Sequence, residues 1–147
     1  MDTVSRYAAL DLFVAREHHE VMQNFVSRSD KDGRRPFARQ VDVWWAAICI
    51  GVRLGYRTKL GDRDSRVKFN TGAILNSDPW RVAHMELVAL AQGGEAVLEH
   101  PYEVIEIANE YAATGLAWLT ERLLGESVPT LTLMNQIDEM LVASTDL

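Results

Sequence analysis

Ten consecutive residues, Val43 to Val52, carry no charged or amide side chain, and Trp44 and Trp45 stand side by side within them. Such a run is too short to cross a bilayer. Extended to Pro36–Leu54, PFARQVDVWWAAICIGVRL, the stretch shows Phe37, Val41, Trp44 or Trp45, Ile48 and Val52 at helical spacing. Val43, Ala46, Ala47, Ile50 and Leu54 fill a second face. A helix that is apolar on most sides is a buried one. The stretch is therefore expected to form the central core helix. A buried strand is the alternative, since Val, Ile and Trp suit strands and a short apolar run does not arbitrate. Pro36, with no N–H and its φ already set, is the expected start.

The chain of 147 residues is expected to fold as a single domain spanning 1–147, large enough for a substantial core. At 48% apolar and 24% charged residues it has the composition of an ordinary globular protein. Cys49 is the only cysteine, which rules out a disulfide within the chain. Its place in the apolar run predicts a small buried hydrophobe. Met1 to Asp11 has no apolar signal core and no stretch is long enough for a membrane span, so a cytoplasmic protein is expected.

Taken in order, residues 5–27 favour one continuous helix capped by Thr3. The alternative is a strand over Leu10, Leu12 and Val14 followed by a helix from Ala15. Strand–helix–helix is the order of a ribbon–helix–helix DNA-binding fold, but the outer strand face would offer only Asp11 and Phe13, poor readers of base edges. Ser27 to Arg35 is a polar connection, with Gly33 marking a turn. Gly55 is the expected stop of the core helix. Gly55 to Asn76 shows no long periodic segment, and structureless loops of that length are usually functional or mobile. Asp78 and Pro79 open the next helix, whose expected buried stripe is Trp80, Ala83, Leu87 and Leu90 with Ala91, and Gly93-Gly94 ends it. A helix over Tyr102 to Leu124 follows, with Ile105, Ala108 or Ala112, Leu116 and Leu119 inward. Gly115 in its middle marks a close helix–helix contact or a hinge. The last helix, Pro129 to Ser144, puts Leu133 or Met134, Ile137 and Leu141 on one face. The predicted fold is mainly α: a compact single-domain bundle of about five helices around a buried central helix, with a short N-terminal strand as the open alternative.

Clusters that could carry chemistry are few. His18 and His19, flanked by Glu17 and Glu20, point about 100° apart on a helix and cannot face one ion together; they read as a solvated pair. His84 reads as a structural histidine and His100 as a loop residue. Glu103, Glu106 and Glu110 share one helical face, but the Glu-x-x-His motif of di-metal bundles is missing. A solvent face is the expected role, and an acidic stripe facing the basic segment of a neighbouring molecule is the sharper one. There is no nucleophile elbow, Walker loop or dinucleotide fingerprint. No enzyme activity, catalytic residue, metal or cofactor is expected.

Charge is distributed unevenly. Residues 28–68 hold eleven of the fifteen basic residues against five acids, a balance of +6, whereas 1–27 carry −2 and 69–147 carry −10. The candidate partner-binding or nucleic-acid-binding residues are Arg34, Arg35, Arg39, Arg53, Arg57, Lys59, Arg63, Arg66 and Lys68. If they converge they could make several phosphate contacts, salt-dependent and mostly sequence-blind. Asp62 and Asp64 dilute the patch.

The order REHHEVMQNFV, PFARQVDVWWAAICIG, YRTKL, LVALAQ and IANEYAATGLAWL, with Tyr111, Ala112 and Gly115, resembles the small proteins encoded beside bacterial DNA phosphorothioation (dnd) gene clusters and related anti-phage defence islands. The resemblance covers roughly residues 14–124. It implies an accessory role beside DNA-modifying or DNA-cleaving machinery and carries over no catalytic residue. The expected function is thus a non-catalytic accessory subunit acting by protein contact. Direct phosphate-backbone DNA binding through residues 34–68 is the alternative, and a metal enzyme built on Glu103, Glu106 and Glu110 a remote third. Expected partners are protein subunits of the same system, DNA in the alternative reading, or a second copy joined through basic and acidic faces. No membrane is expected.

Overall fold

The computed structural model describes residues 6–27 and 32–145. Thr3 and residues 28–31 of the polar connection lie outside the described residues. Among the described residues there are five α-helices and a two-stranded antiparallel sheet: β1 (Asp11–Ala15), α1 (Arg16–Asn24), α2 (Gln40–Leu54), β2 (Arg66–Thr71), α3 (Pro79–Gly93), α4 (Pro101–Leu123) and α5 (Pro129–Thr145). The mainly helical reading holds, with the N-terminal strand present. No helix among the described residues is long and apolar enough to cross a membrane.

The continuous helix over 5–27 is not what forms. Leu12 and Val14 alternate with Asp11 and Phe13 and are buried, the period of a half-buried strand, and the helix begins only at Arg16. β1 finds its partner in β2, within the segment expected to be a loop. β2 is hard to read from RVKFNT because none of its residues is fully buried; it becomes a strand by pairing with β1 across some fifty residues of chain. That pairing also takes β1 away from a ribbon–helix–helix arrangement, in which the strand pairs with a second copy. Phe69 is an extra residue in the ladder, since Leu12 faces Asn70 but Phe13 faces Lys68. Its ring lies 5.9 Å from that of Trp44 in the core.

The centre of the fold is the crossing of α2 and α4. Helix α2 starts at Gln40, four residues after Pro36. The Asp42 carboxylate accepts the backbone N–H of Arg39 at 3.1 Å, satisfying one of the donors a helix start leaves open. Its end is as expected, with Gly55 left-handed at φ 85°. Gly51 and Gly115 let the two backbones meet. A Cβ on Gly115 would lie 1.8 Å from the Ala47 carbonyl oxygen, and one on Gly51 would lie 2.1 Å from that of Tyr111. Gly115 is therefore a contact residue inside an unbroken helix, not a hinge.

A single buried amide ties the sheet to this crossing. Asn109 of α4 is 1% exposed, and its Oδ1 accepts both the Trp44 indole N–H at 3.3 Å and the Phe13 backbone N–H at 3.2 Å, next to the bulge. The indole of a fully buried tryptophan thereby gains the partner it needs.

The outer helices depart from expectation in the face they bury. Helix α3 turns Val82, Met85 and Ala89 inward and leaves Trp80, Ala83 and Leu87 exposed. Helix α5 buries Leu133, while Met134, Ile137 and Leu141 are exposed. Helix α2 also has an outer strip. Cys49, expected to be buried, is exposed, and so are Val52 and Leu54.

Candidate interaction surface

The nine basic residues singled out above do not form one patch. Arg34, Arg35 and Arg39 lie before α2, whereas Arg57, Lys59 and Arg63 follow it, and the helix between is about 22 Å long. Five of the nine are paired with carboxylates of the same chain. Arg34 meets Asp32 at 3.4 Å, Arg39 meets both Asp42 and Asp78 at 2.9 Å, and Arg57 meets Glu110 at 3.3 Å. Arg66 meets Glu106 at 2.9 Å and Lys68 meets Asp11 at 3.0 Å. Arg35 donates to the Val26 carbonyl and Arg53 to that of Met140. Lys59 and Arg63 are exposed and make no ion pair among the described residues. The glutamate stripe of α4 thus answers the basic segment of its own chain: Glu106 and Glu110 are half-buried under Arg66 and Arg57, and Glu103 remains exposed. Burial pushes the Glu110 carboxyl above the ordinary range, against the pull of the Arg57 charge.

His18 and His19 are half-buried rather than solvated. Nδ1 of His18 has no hydrogen-bond partner, and burial pulls its imidazole below the usual 6.5 while the Glu17 charge acts the other way. The ring borders an open hollow of about 500 Å³ whose other charged lining residues are Arg16, Glu17, Lys59 and Asp64. With the folded-state value below the unfolded one, the unfolded chain takes up the proton first as pH falls. Stability from this group is complete above about pH 6.5 and is lost as pH drops through the folded value. The loss of Tm between pH 7 and 5.5 is therefore expected to be smaller in His18→Gln than in wild type, and an unchanged slope would remove His18 as its source.

The feature that stands out on the surface is apolar. Helix α2 runs between α3 and α5, and its outer strip is flanked by two shallow grooves. The α2–α3 groove has about 330 Å³ and is lined by Trp45, Ile48, Cys49, Val52, His84, Leu87 and Val88. The α2–α5 groove has about 290 Å³ and is lined by Phe37, Ala46, Cys49, Ile50, Arg53, Leu133, Ile137, Met140 and Leu141. Cys49 lines both, so the two grooves form one continuous face. Although Cys49 is exposed, desolvation by the apolar side chains around it pushes its thiol up.

One end of the face carries an ion-pair and aromatic cluster. Arg81 is nearly buried, with its guanidinium over the rings of Trp45 at 5.6 Å and Trp80 at 5.2 Å, and pairs with Asp42 at 3.1 Å and Asp78 at 3.7 Å. Burial alone would raise the Asp42 carboxyl, but the hydrogen bonds from Arg39 and the charges of Arg39 and Arg81 beside it hold it below the usual carboxylate range. Trp45 meets Trp80 edge-on at 5.6 Å and stacks on His84 at 6.2 Å. His84 is therefore a surface member of this cluster, at the mouth of the α2–α3 groove.

Trp80 is 51% exposed, Leu87 61%, Met134 64% and Leu141 56%. Large apolar side chains standing singly on a surface need no explanation, but a contiguous set does. The sequence signal for this face was the stripe Trp80, Ala83, Leu87 itself. It marks a face of α3 that repels water, and nothing in one chain says whether the core or another molecule covers it. Among the described residues, no group of three or more His, Cys, Asp or Glu side chains is placed to hold a metal ion. No protein-family model, curated protein or solved structure matches this chain.

Proposed function

We propose that the chain is a non-catalytic interaction subunit that works by protein contact, and that its contact surface is the apolar α3–α2–α5 face. The observation that supports this is the continuity of the face, in which exposed side chains of three helices surround two grooves that meet at Cys49. Covering such a face removes apolar area from water at roughly 25 cal/mol per Å², the main driving force of association. The likeness to proteins encoded beside DNA phosphorothioation clusters extends the proposal to a role within DNA-modification or anti-phage machinery. Internal pairing of five basic residues weighs against the alternative of direct DNA binding, because a cation held by its own carboxylate contributes less to counterion release.

Affinity purification from native cells, followed by identification of the retained proteins, tests the proposal. A partner held by wild type and by Arg63→Glu but lost from Leu87→Glu is the expected result. Duplex DNA shifted at low salt by wild type and released by Arg63→Glu would replace this reading with the DNA-binding one.

A further inference from the structure

We infer that the hollow between the outer face of the sheet and the start of α4 binds a small molecule that joins a planar ring to a phosphate, a nucleoside monophosphate. This goes beyond the reading of the apolar face as a contact surface, and the hollow shares no lining residue with the two grooves of that face.

The hollow has about 450 Å³, within the size range of small-molecule sites. Phe13 of β1, Arg66 of β2, Tyr102 of α4 and Arg63 of the turn before β2 line it, with Asp11 and Gly61. The lining thus combines flat rings with guanidinium groups.

The two guanidiniums are in different states. Arg66 lies with Cζ 5.3 Å from the centre of the Phe13 ring. Its Nη1 donates to both oxygens of Glu106, at 3.1 and 2.9 Å, and its Nη2 to the Gly61 carbonyl at 2.8 Å. It is a fixed wall whose charge is already answered. Arg63 is exposed and makes no ion pair among the described residues, although Asp62 and Asp64 flank it in sequence. The Asp62 carboxylate caps the turn instead, accepting the Ser65 backbone N–H at 3.2 Å and its hydroxyl at 3.0 Å. The turn is also tied down from outside, where Arg16 Nε donates to the Asp64 carbonyl at 2.9 Å. Arg63 is therefore an unanswered cation on a held backbone, which gives up less freedom on meeting an anion. A guanidinium suits the oxygens of a phosphate.

Tyr102 supplies the other half. It is 62% exposed in the first turn of α4, and its hydroxyl comes no nearer than 3.4 Å to Glu106. An exposed phenol ring is a platform on which any base can stack. The one carboxylate of the lining, Asp11, pairs with Lys68 at 3.0 Å, which blunts its repulsion of a phosphate. Its oxygens retain acceptor capacity for sugar hydroxyls. Phosphate alone leaves the ring of Tyr102 in water, and a nucleoside alone leaves Arg63 unanswered.

Titration calorimetry of the full-length chain with AMP, GMP, CMP and UMP tests this, with inorganic phosphate and the corresponding nucleosides as half-ligands. The expected result is one-to-one binding of a nucleoside monophosphate, about tenfold or more tighter than either half. Arg63→Gln and Tyr102→Ala should each weaken it by about tenfold or more, whereas Tyr102→Phe, which keeps the ring, should bind as wild type does. Both residues are exposed, so the variants should keep the wild-type far-ultraviolet spectrum. No binding of any of the four at millimolar concentration overturns the inference, as does binding that survives both Arg63→Gln and Tyr102→Ala. Inorganic phosphate bound as tightly as the nucleotides also overturns it, since that is an anion site with no place for a ring. Leu87→Glu, on the apolar face, should bind nucleotide as wild type does even where it loses a protein partner. A chain that keeps its protein partner but binds no nucleotide overturns this site and leaves the interaction-subunit reading standing.

Discussion

Gly115→Ala is expected to lower stability by about 3 kcal/mol, a fall in Tm of about 6–12 °C for a chain of this size. Helix propensity alone predicts the opposite sign, a gain of about 1 kcal/mol for replacing a mid-helix glycine by alanine. Packing decides. The added methyl would stand 1.8 Å from the Ala47 carbonyl oxygen and 2.5 Å from its Cα, and the obstacle is backbone that cannot rotate away. The two central helices must separate, and the core they share loosens along their length. Gly51→Ala acts on the same crossing from the other helix, with its methyl 2.1 Å from the Tyr111 carbonyl oxygen. Once one substitution has parted the helices the other meets less resistance, so the double variant should be less unstable than additivity requires. Thermal or urea unfolding of the two single variants and the double checks both points. A Gly115→Ala variant at least as stable as wild type would mean that α2 and α4 do not approach this closely.

Asn109→Ala is expected to destabilise by roughly 2–4 kcal/mol, because it leaves one buried and one part-buried donor with no acceptor, each worth about 1–3 kcal/mol when buried and unpaired. The donors belong to different parts of the fold, the Trp44 indole on α2 and the Phe13 backbone on β1. The substitution should therefore show two signatures besides the global loss. Amide exchange at Phe13 should accelerate relative to its neighbours in β1, and Trp44→Phe should cost less in the Asn109→Ala background than in wild type. A change below about 0.5 kcal/mol, the usual effect of substitutions away from such features, would sink this account. Asn109 was not among the residues read from the sequence as inward-facing, although a signal was there. It stands four residues after Ile105 and three before Ala112, on the stripe that packs inward.

Local signals account for much of what was legible in advance. Pro79, Gly93-Gly94 and Pro129 mark the ends of α3 and the start of α5 within a residue or two, because a missing N–H or a glycine of positive φ acts on the backbone where it stands. The Val43–Val52 run identified the central helix for the same reason, since ten uncharged residues at helical spacing have few other uses. Pro36 misled as its start, and the helix waits for Gln40, where Asp42 can cap it.

The chain's order of residues thus determined, to within a few residues, where α2 to α5 lie and which of them is central, since caps and periodicity are properties of neighbours. Which face each outer helix buries was decided only by the tertiary structure. Helix α3 is apolar on two sides, with Val82, Met85 and Ala89 on one and Trp80, Ala83 and Leu87 on the other, and a hydrophobic period has a direction only relative to whatever packs against it. Likewise β2 exists because β1 lies beside it, and Arg57 and Arg66 are neutral in effect because α4 brings Glu110 and Glu106 beneath them. Pairings across tens of residues depend on how the chain closes on itself, and that closure places charge inside the molecule and leaves a water-repelling face outside it.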